Sequence, residues 1–213
     1  MSIIEEISAK MQEGKHKEVK LLVAQALDEG RSAKEILEKA LLAGMDVIGA
    51  KFKNNEVYVP EVLVAARAMK IGVKVLKPHL VEDNVEPVGK VVIGTVAGDM
   101  HDIGKNLVSM MLEGKGLEVI DLGVDVSIDE FVNTVKEENA DIVCLSALLT
   151  TTMGVMKDLV KVFEEEGIRE KVKIMIGGAP VTQEYCDEIG ADCFTVDAAS
   201  CADMAYAFCS EKK

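Results

Sequence analysis

Two carboxylates flank a histidine in the stretch Gly98-Asp99-Met100-His101-Asp102-Ile103-Gly104-Lys105-Asn106. An imidazole binds metals through either ring nitrogen. A carboxylate behind the other nitrogen fixes the tautomer and raises the basicity of the ring. The stretch follows an apolar run, Val91-Val92-Ile93-Gly94-Thr95-Val96, and precedes a helical one, Leu107-Val108-Ser109-Met110-Met111-Leu112. A buried strand, a polar turn and a helix is where open α/β sheets hold their ligands. The other two histidines, His16 and His79, lack this setting.

Three ligand classes can be weighed against these residues. A phosphate or dinucleotide site asks for G-x-G-x-x-G or G-K-[ST] after the strand, and neither is present. A zinc or two-metal hydrolase could use Asp99, His101 and Asp102, but it needs further ligands that the sequence does not group with them. A metal held in a macrocycle already has four ligands and asks the protein for one axial donor. By spacing alone, the histidine reads more readily as a turn residue capping the helix that begins at Ile103 than as a metal ligand.

The chain as a whole narrows the field. Its 213 residues suffice for one large domain or two small ones with a proper core. The net charge of −13 argues against nucleic acid and against an anionic membrane surface. No apolar run approaches the roughly 18 residues of a membrane span. Acids at Glu5 and Glu6 stand where a secretion signal needs basic residues. A soluble cytoplasmic protein is expected. The cysteines (144, 186, 193, 201 and 209) are odd in number and form no C-x-x-C pair. They read as reduced structural thiols on separate elements.

The elements that must position the histidine come in two blocks. The first is helical. Ile3, Ile4, Ile7 and Met11 share one face, and Gly14 ends that segment. A second helix runs from His16 to Glu29 and stops at Gly30. Ser32 and Glu35 form a capping box for a third helix, which carries Ile36, Leu37, Ala40, Leu41, Met45 and Ile48. Pro60 suits the first turn of a fourth, with Leu63, Ala66, Met69, Val73 and Leu76 inward. Four helices with short connections make an antiparallel bundle. Residues 78–89, bracketed by Pro78 and Pro87, read as a linker between a helical domain (1–86) and a second domain (87–213). There the chain alternates, with strands at 90–96, 118–122, 141–146, 172–176 and 193–196, each followed by a helix. That alternation means a doubly wound, five-stranded parallel sheet covered on both faces, with every strand's C-terminal end on one edge. The loop from Gly98 to Gly104, the hydroxyl-rich Ser146–Thr152 segment, Gly177-Gly178-Ala179 and Asp197-Ala198-Ala199-Ser200 all collect there.

Asp99-x-His101-x-x-Gly104, extended from Gly98 to Asn106, resembles the corrinoid-binding motif of B12-dependent methyltransferases. Residues 38–78 resemble the helical cap that precedes the motif in methionine synthase, through Phe52 and the segment Val57-Tyr58-Val59-Pro60-Glu61-Val62 to Ala66-Arg67-Ala68-Met69-Lys70. The likeness covers the whole chain. In size and layout it is nearest to the stand-alone corrinoid proteins of methanol, methylamine, betaine or methoxyarene methyltransferase systems.

The resemblance implies a helical cap followed by a Rossmann-like, flavodoxin-like B12-binding domain holding cobalamin or a related cobamide. It makes His101 the lower ligand of cobalt and Asp99 its partner. Thr152 stands at the third position of the ligand triad, where methionine synthase has serine, keeping the hydroxyl and adding a methyl group. Gly98, Met100, Asp102 and Gly104 line the same loop. Ser146, Thr150, Gly178 and Ala199 match contacts to the nucleotide tail. Glu38, Phe52, Val59 and Val62 match cap residues near the upper cobalt face, although Val59 and Val62 read equally as bundle core.

The implied function is a methyl carrier in one-carbon metabolism. It accepts a methyl group on Co(I) from a substrate-specific methyltransferase and passes it to a second methyltransferase acting on tetrahydrofolate or coenzyme M. A reductive activator rescues oxidised cobalt. The competing reading is a cobalamin-binding sensor without transfer chemistry, a class that usually carries a DNA-binding domain for which this chain offers neither length nor basic charge.

Overall fold

The computed structural model describes residues 1–83 and 85–211. The chain divides into two compact units, Met1–Pro87 with Gly114–Gly116, and Val88–Glu113 with the chain from Leu117 onward.

The first unit is built from helices whose starts are written locally. Ser2 opens α1 (Ile3–Gln12) by accepting the Glu5 N–H, while the Glu5 carboxylate accepts the Ser2 N–H in return. The second helix, α2 (His16–Asp28), ends before Gly30, which takes the left-handed φ of +83° that favours glycine. Ser32 accepts the Glu35 N–H and starts a continuous rod. The rod comprises α3 (Ala33–Ile36), a π-helical segment (Leu37–Leu42) and α4 (Ala43–Lys53). Then comes α5 (Val59–Glu82), with Pro60 in its first turn as expected. Ile7, Met11, Val19, Val23, Ile36, Leu41, Met45, Ile48 and Leu76 are buried.

Two expectations fail in α5. Its buried stripe runs through Val62, Ala65, Ala66, Ala68, Met69, Gly72 and Leu76, whereas Leu63 is 37% exposed. The stripe selects small side chains because the helices approach closely: a Cβ on Gly72 would lie 2.9 Å from Leu41 and 3.2 Å from Val19. Nor does the linker begin at Pro78, because the helix runs through it to Glu82. Proline has no N–H, so one helical bond is lost. The Asp83 and Val85 N–H groups close the end of the helix onto the His79 and Leu80 carbonyls. Asn84, within the expected linker, lies outside the described residues.

The second unit is the expected doubly wound sheet. Its strands are β1 (Lys90–Thr95), β2 (Glu118–Asp121), β3 (Ile142–Ser146), β4 (Lys173–Gly177) and β5 (Cys193–Phe194). They are all parallel and lie in the order β2-β1-β3-β4-β5. The fifth strand is two residues long rather than four. The covering helices are α6 (Ile103–Gly114), α7 (Ile128–Glu138), α8 (Met153–Glu165), α9 (Gln183–Ile189) and α10 (Ala198–Ser210). One face packs Val92, Val143, Leu145, Ile174 and Ile176 against Phe131, Met156, Leu159 and Phe163. Gly94 admits Phe131 to the sheet, since a Cβ there would come within 2.7 Å of that ring. The strand order reverses between β1 and β3, and the crevice at such a switch point is where open sheets bind ligands.

Candidate functional site

The histidine loop leaves β1 at this switch point, and the loop after β3 faces it. Asp99 has no exposed surface. Its carboxylate is surrounded by donors from both loops. Oδ1 lies 2.7 Å from His101 Nδ1 and 3.1 Å from the His101 N–H nitrogen. Oδ2 accepts from the backbone N–H groups of Leu148 (2.7 Å) and Leu149 (3.2 Å). Thr152 Oγ1 is 3.1 Å from Oδ2 and 2.9 Å from the Leu149 carbonyl oxygen, so its single proton serves one of them at a time.

Burial alone would push the Asp99 acid up. The donors outweigh it, with His101 first and the Leu148 and Leu149 N–H groups after, and hold the acid well below the usual carboxylate range. A carboxylate that is always ionised accepts and never donates. Nδ1 of a neutral His101 is therefore the protonated nitrogen, and Nε2 keeps its lone pair. The His101 side chain is 51% exposed, and among the described residues no hydrogen bond occupies Nε2. Thr95, buried in β1, donates its hydroxyl to the His101 carbonyl at 2.8 Å and fixes the backbone behind the ring.

The arrangement suits a flat ligand with one open metal position. Exposed apolar side chains stand around the two loops, Met100 and, at the start of α6, Ile103 on one side, Leu148 and Leu149 on the other. Gly178 has a φ of +132°, and a Cβ there would overlap the Ala147 carbonyl oxygen at 1.8 Å, so the backbone after β4 lies directly on the backbone after β3. Among the described residues no group of three or more His, Cys, Asp or Glu side chains is placed to hold a metal ion. The donor set fits a metal that brings its equatorial ligands with it.

Of the residues singled out from sequence, the fold brings His101 and Thr152 each into contact with Asp99, with Gly98, Met100 and Asp102 in the same loop and Gly104 in the first turn of α6. Ser146 ends β3 and is half-buried, whereas Thr150 and Gly178 are exposed in the loops after β3 and β4. Ala199, in the first turn of α10, is 2% exposed. In the helical unit, Glu38 lies in the π-helical segment, 3.8 Å from Lys34. Phe52 and Val59 are half-buried, and Val62 is fully buried. The cysteines are all buried thiols, but Cys201 and Cys209 share α10 rather than lying on separate elements. Burial is the main cause that pushes the Cys193 thiol up to about 11.

Sequence reasoning missed the Leu148 and Leu149 amides, because backbone donors have no residue signature. It also missed Asp125, whose Oδ1 accepts the Gly98 N–H at 2.7 Å and whose own N–H donates to the Asp99 carbonyl. Position after β2, on the same sheet edge, was the signal that could have found it.

Family profiles described as B12 binding domain match residues 89–205 and residues 3–77. Dimethylamine corrinoid protein 1 of Methanosarcina acetivorans is 50% identical over 165 residues, 77% of this chain and 78% of that protein. A corrinoid protein of Desulfitobacterium hafniense is 38% identical over 208 residues, 96% of each chain. The methanol:cobalamin methyltransferase complex MtaBC from Methanosarcina barkeri contains a chain that superposes with a TM-score of 0.88 at 29% identity, covering 98% of this chain and 80% of that one. No helix among the described residues is long and apolar enough to cross a membrane. The chain belongs to the B12-binding corrinoid proteins of methyltransferase systems, and its cofactor is a corrinoid.

Proposed function

We propose that this corrinoid methyl carrier serves a dimethylamine-type system. It would receive the methyl group while docked on a substrate-specific methyltransferase and deliver it to a second methyltransferase acting on coenzyme M or tetrahydrofolate, with a reductive activator in support. The single observation that carries the reading is the His101 imidazole, backed through Nδ1 by a buried, ionised Asp99 and, among the described residues, without a hydrogen-bond partner at Nε2. Relatives that are dimethylamine corrinoid proteins, 45–50% identical, favour a methylated amine as the methyl source. The MtaBC complex supports docking on a substrate-specific methyltransferase. Five buried thiols favour the reducing cytoplasm.

The bound corrinoid supplies a cobalt centre that takes up and gives away the methyl group. His101 Nε2 would hold the cobalt. Asp99 holds the ring in the tautomer that leaves Nε2 unprotonated. When Nε2 is not engaged it can take a proton, and the Asp99 carboxylate then balances the imidazolium charge. His101 and the Leu148 and Leu149 amides hold that carboxylate in its ionised form, and the Thr152 hydroxyl lies against it. Ser146, Thr150, Gly178 and Ala199 are the proposed contacts to the nucleotide tail. Gly98, Met100, Asp102 and Gly104 are proposed contacts in the histidine loop. Glu38, Phe52 and Val59 are proposed to shield the upper face from water. Val62, fully buried, fits bundle core better.

The test is turnover. The chain, reconstituted with a cobamide, is mixed with a dimethylamine methyltransferase and a coenzyme M methyltransferase. Methyl transfer from dimethylamine, lost in His101→Ala, is expected. A chain that binds cobamide but supports no transfer from dimethylamine, monomethylamine or methanol would reverse the assignment to an amine or alcohol system.

A further inference from the structure

A second buried charge lies four residues past the histidine, and the site described so far does not use it. Lys105, in the first turn of α6, is 3% exposed. Its Nζ donates to both oxygens of Asp121 at 2.6 Å and to Asn106 Oδ1 at 2.8 Å, which occupies all three ammonium protons. Asp121 ends β2, and its Oδ1 also accepts the Gly123 N–H at 2.9 Å. Burying an ammonium group is costly, and an apolar side chain would fill such a position at lower cost. What the ion pair adds is direction: it ties the start of α6 to the segment 121–125.

That segment grips the histidine loop directly at Gly98 and Asp99 and, through Thr95 of β1, a third time. The Gly123 carbonyl accepts the Thr95 N–H at 3.0 Å, and the Thr95 hydroxyl holds the His101 carbonyl. Asp125 Oδ1 accepts the Gly98 N–H, and the Asp125 N–H donates to the Asp99 carbonyl at 3.0 Å. Asp125 does this from a left-handed φ of +54°, a conformation that surrounding bonds must maintain.

We propose that Lys105 and Asp121 form a positioning pair that sets the 121–125 segment and, through it, the backbone carrying Asp99 and His101. The pair touches neither the cofactor nor the reacting atoms. The inference rests on the reading of His101 as the axial ligand, and it adds a residue pair on which that ligation depends.

Lys105→Met, Asp121→Asn and the apolar double variant Lys105→Met/Asp121→Leu test it. In the cofactor-free protein, hydrogen exchange at the Gly98 and Asp125 amides should speed up at least tenfold in Lys105→Met and about threefold in Asp121→Asn. The Val143 and Ile174 amides in the sheet should stay within twofold. After reconstitution with a cobamide and reduction to Co(II), the fraction showing axial nitrogen splitting in the electron paramagnetic resonance spectrum should fall in the same order. The double variant should regain the denaturation midpoint without regaining amide protection or axial nitrogen.

Unchanged Gly98 and Asp125 exchange in a folded Lys105→Met would overturn the proposal. So would recovery of protection and ligation along with stability in the double variant, because that is the behaviour of a purely structural pair. If Lys105→Met does not fold, Asp121→Asn decides by the same criteria. Wild-type protein that binds no cobamide would sink the axial-ligand reading, while the exchange measurements would still report on the brace.

Discussion

Replacing Asp99 by Asn changes one atom and leaves the shape of the side chain intact, so its consequences follow from hydrogen-bond polarity alone. The Asp99 carboxylate accepts on both oxygens: two N–H groups of His101 face Oδ1, and two backbone N–H groups and the Thr152 hydroxyl face Oδ2. An amide has one carbonyl oxygen. It serves the greater number of donors by facing Leu148 and Leu149, which turns its NH2 toward His101. The His101 N–H then loses its acceptor, and the ring can bond only by accepting at Nδ1, so the proton moves to Nε2. One charge-assisted bond is lost at about 1.5–3 kcal/mol and the remaining ones weaken, for a total of about 2–4 kcal/mol.

Two measurements on the cofactor-free protein check this. Urea unfolding should show the destabilisation. Long-range ¹⁵N–¹H correlation spectra of the ring should show a protonated Nδ1 in the wild type and a protonated Nε2 in Asp99→Asn. Finding the same tautomer in both proteins would refute the reasoning, whatever happened to stability.

Three further outcomes follow from the same geometry. Thr152→Val should cost about 1–2 kcal/mol, since Asp99 loses one of several donors, and should leave the His101 tautomer unchanged in the same spectra, whereas Thr152→Ser should be close to wild type. Gly178→Ala must displace a backbone carbonyl that its Cβ would meet at 1.8 Å, at a φ that alanine avoids. A loss of about 2–5 kcal/mol in chemical denaturation is expected, together with weaker cobamide retention on gel filtration. Asp192 is held below the ordinary carboxylate range. Burial pushes its acid up, but the Ile174 N–H, Lys173 and Arg169 together prevail. Its folded value is lower than its unfolded one, so the stability it provides is complete above about pH 4 and is lost as pH falls through the folded value. Asp192→Ala should cost about 2–3 kcal/mol at pH 7 and flatten the fall in stability below pH 4, followed by denaturation at several pH values.

What the sequence discloses of this site is what local chemistry can encode. Asp99 and His101 are two residues apart, so one loop decides their contact, and the alternation of strands and helices places Thr152 on the same sheet edge. The amides of Leu148 and Leu149 carry no such mark, because every residue has an N–H and only the fold aims it. Lys105 and Asp121 are separated by sixteen residues and meet only because β2 lies beside β1 in a particular register. In α5, Pro78 suggested an end to the helix because its single lost bond is visible in sequence and the compensating closure downstream is not. Leu63 reads as inward and is exposed because a close-packed stripe of alanine and glycine is a weaker periodic signal than a leucine.

A bond between cobalt and His101 Nε2 has a signature that one spectrum reads out. The chain is produced with ¹⁵N-labelled histidine, reconstituted with an unlabelled cobamide and reduced to Co(II). Axial ¹⁴N splits each hyperfine line into three and ¹⁵N into two, so the labelled protein should show doublets where the unlabelled protein shows triplets, and His101→Ala should show neither. Triplets that persist in the labelled protein would place the cofactor's own base on the metal and contradict the account.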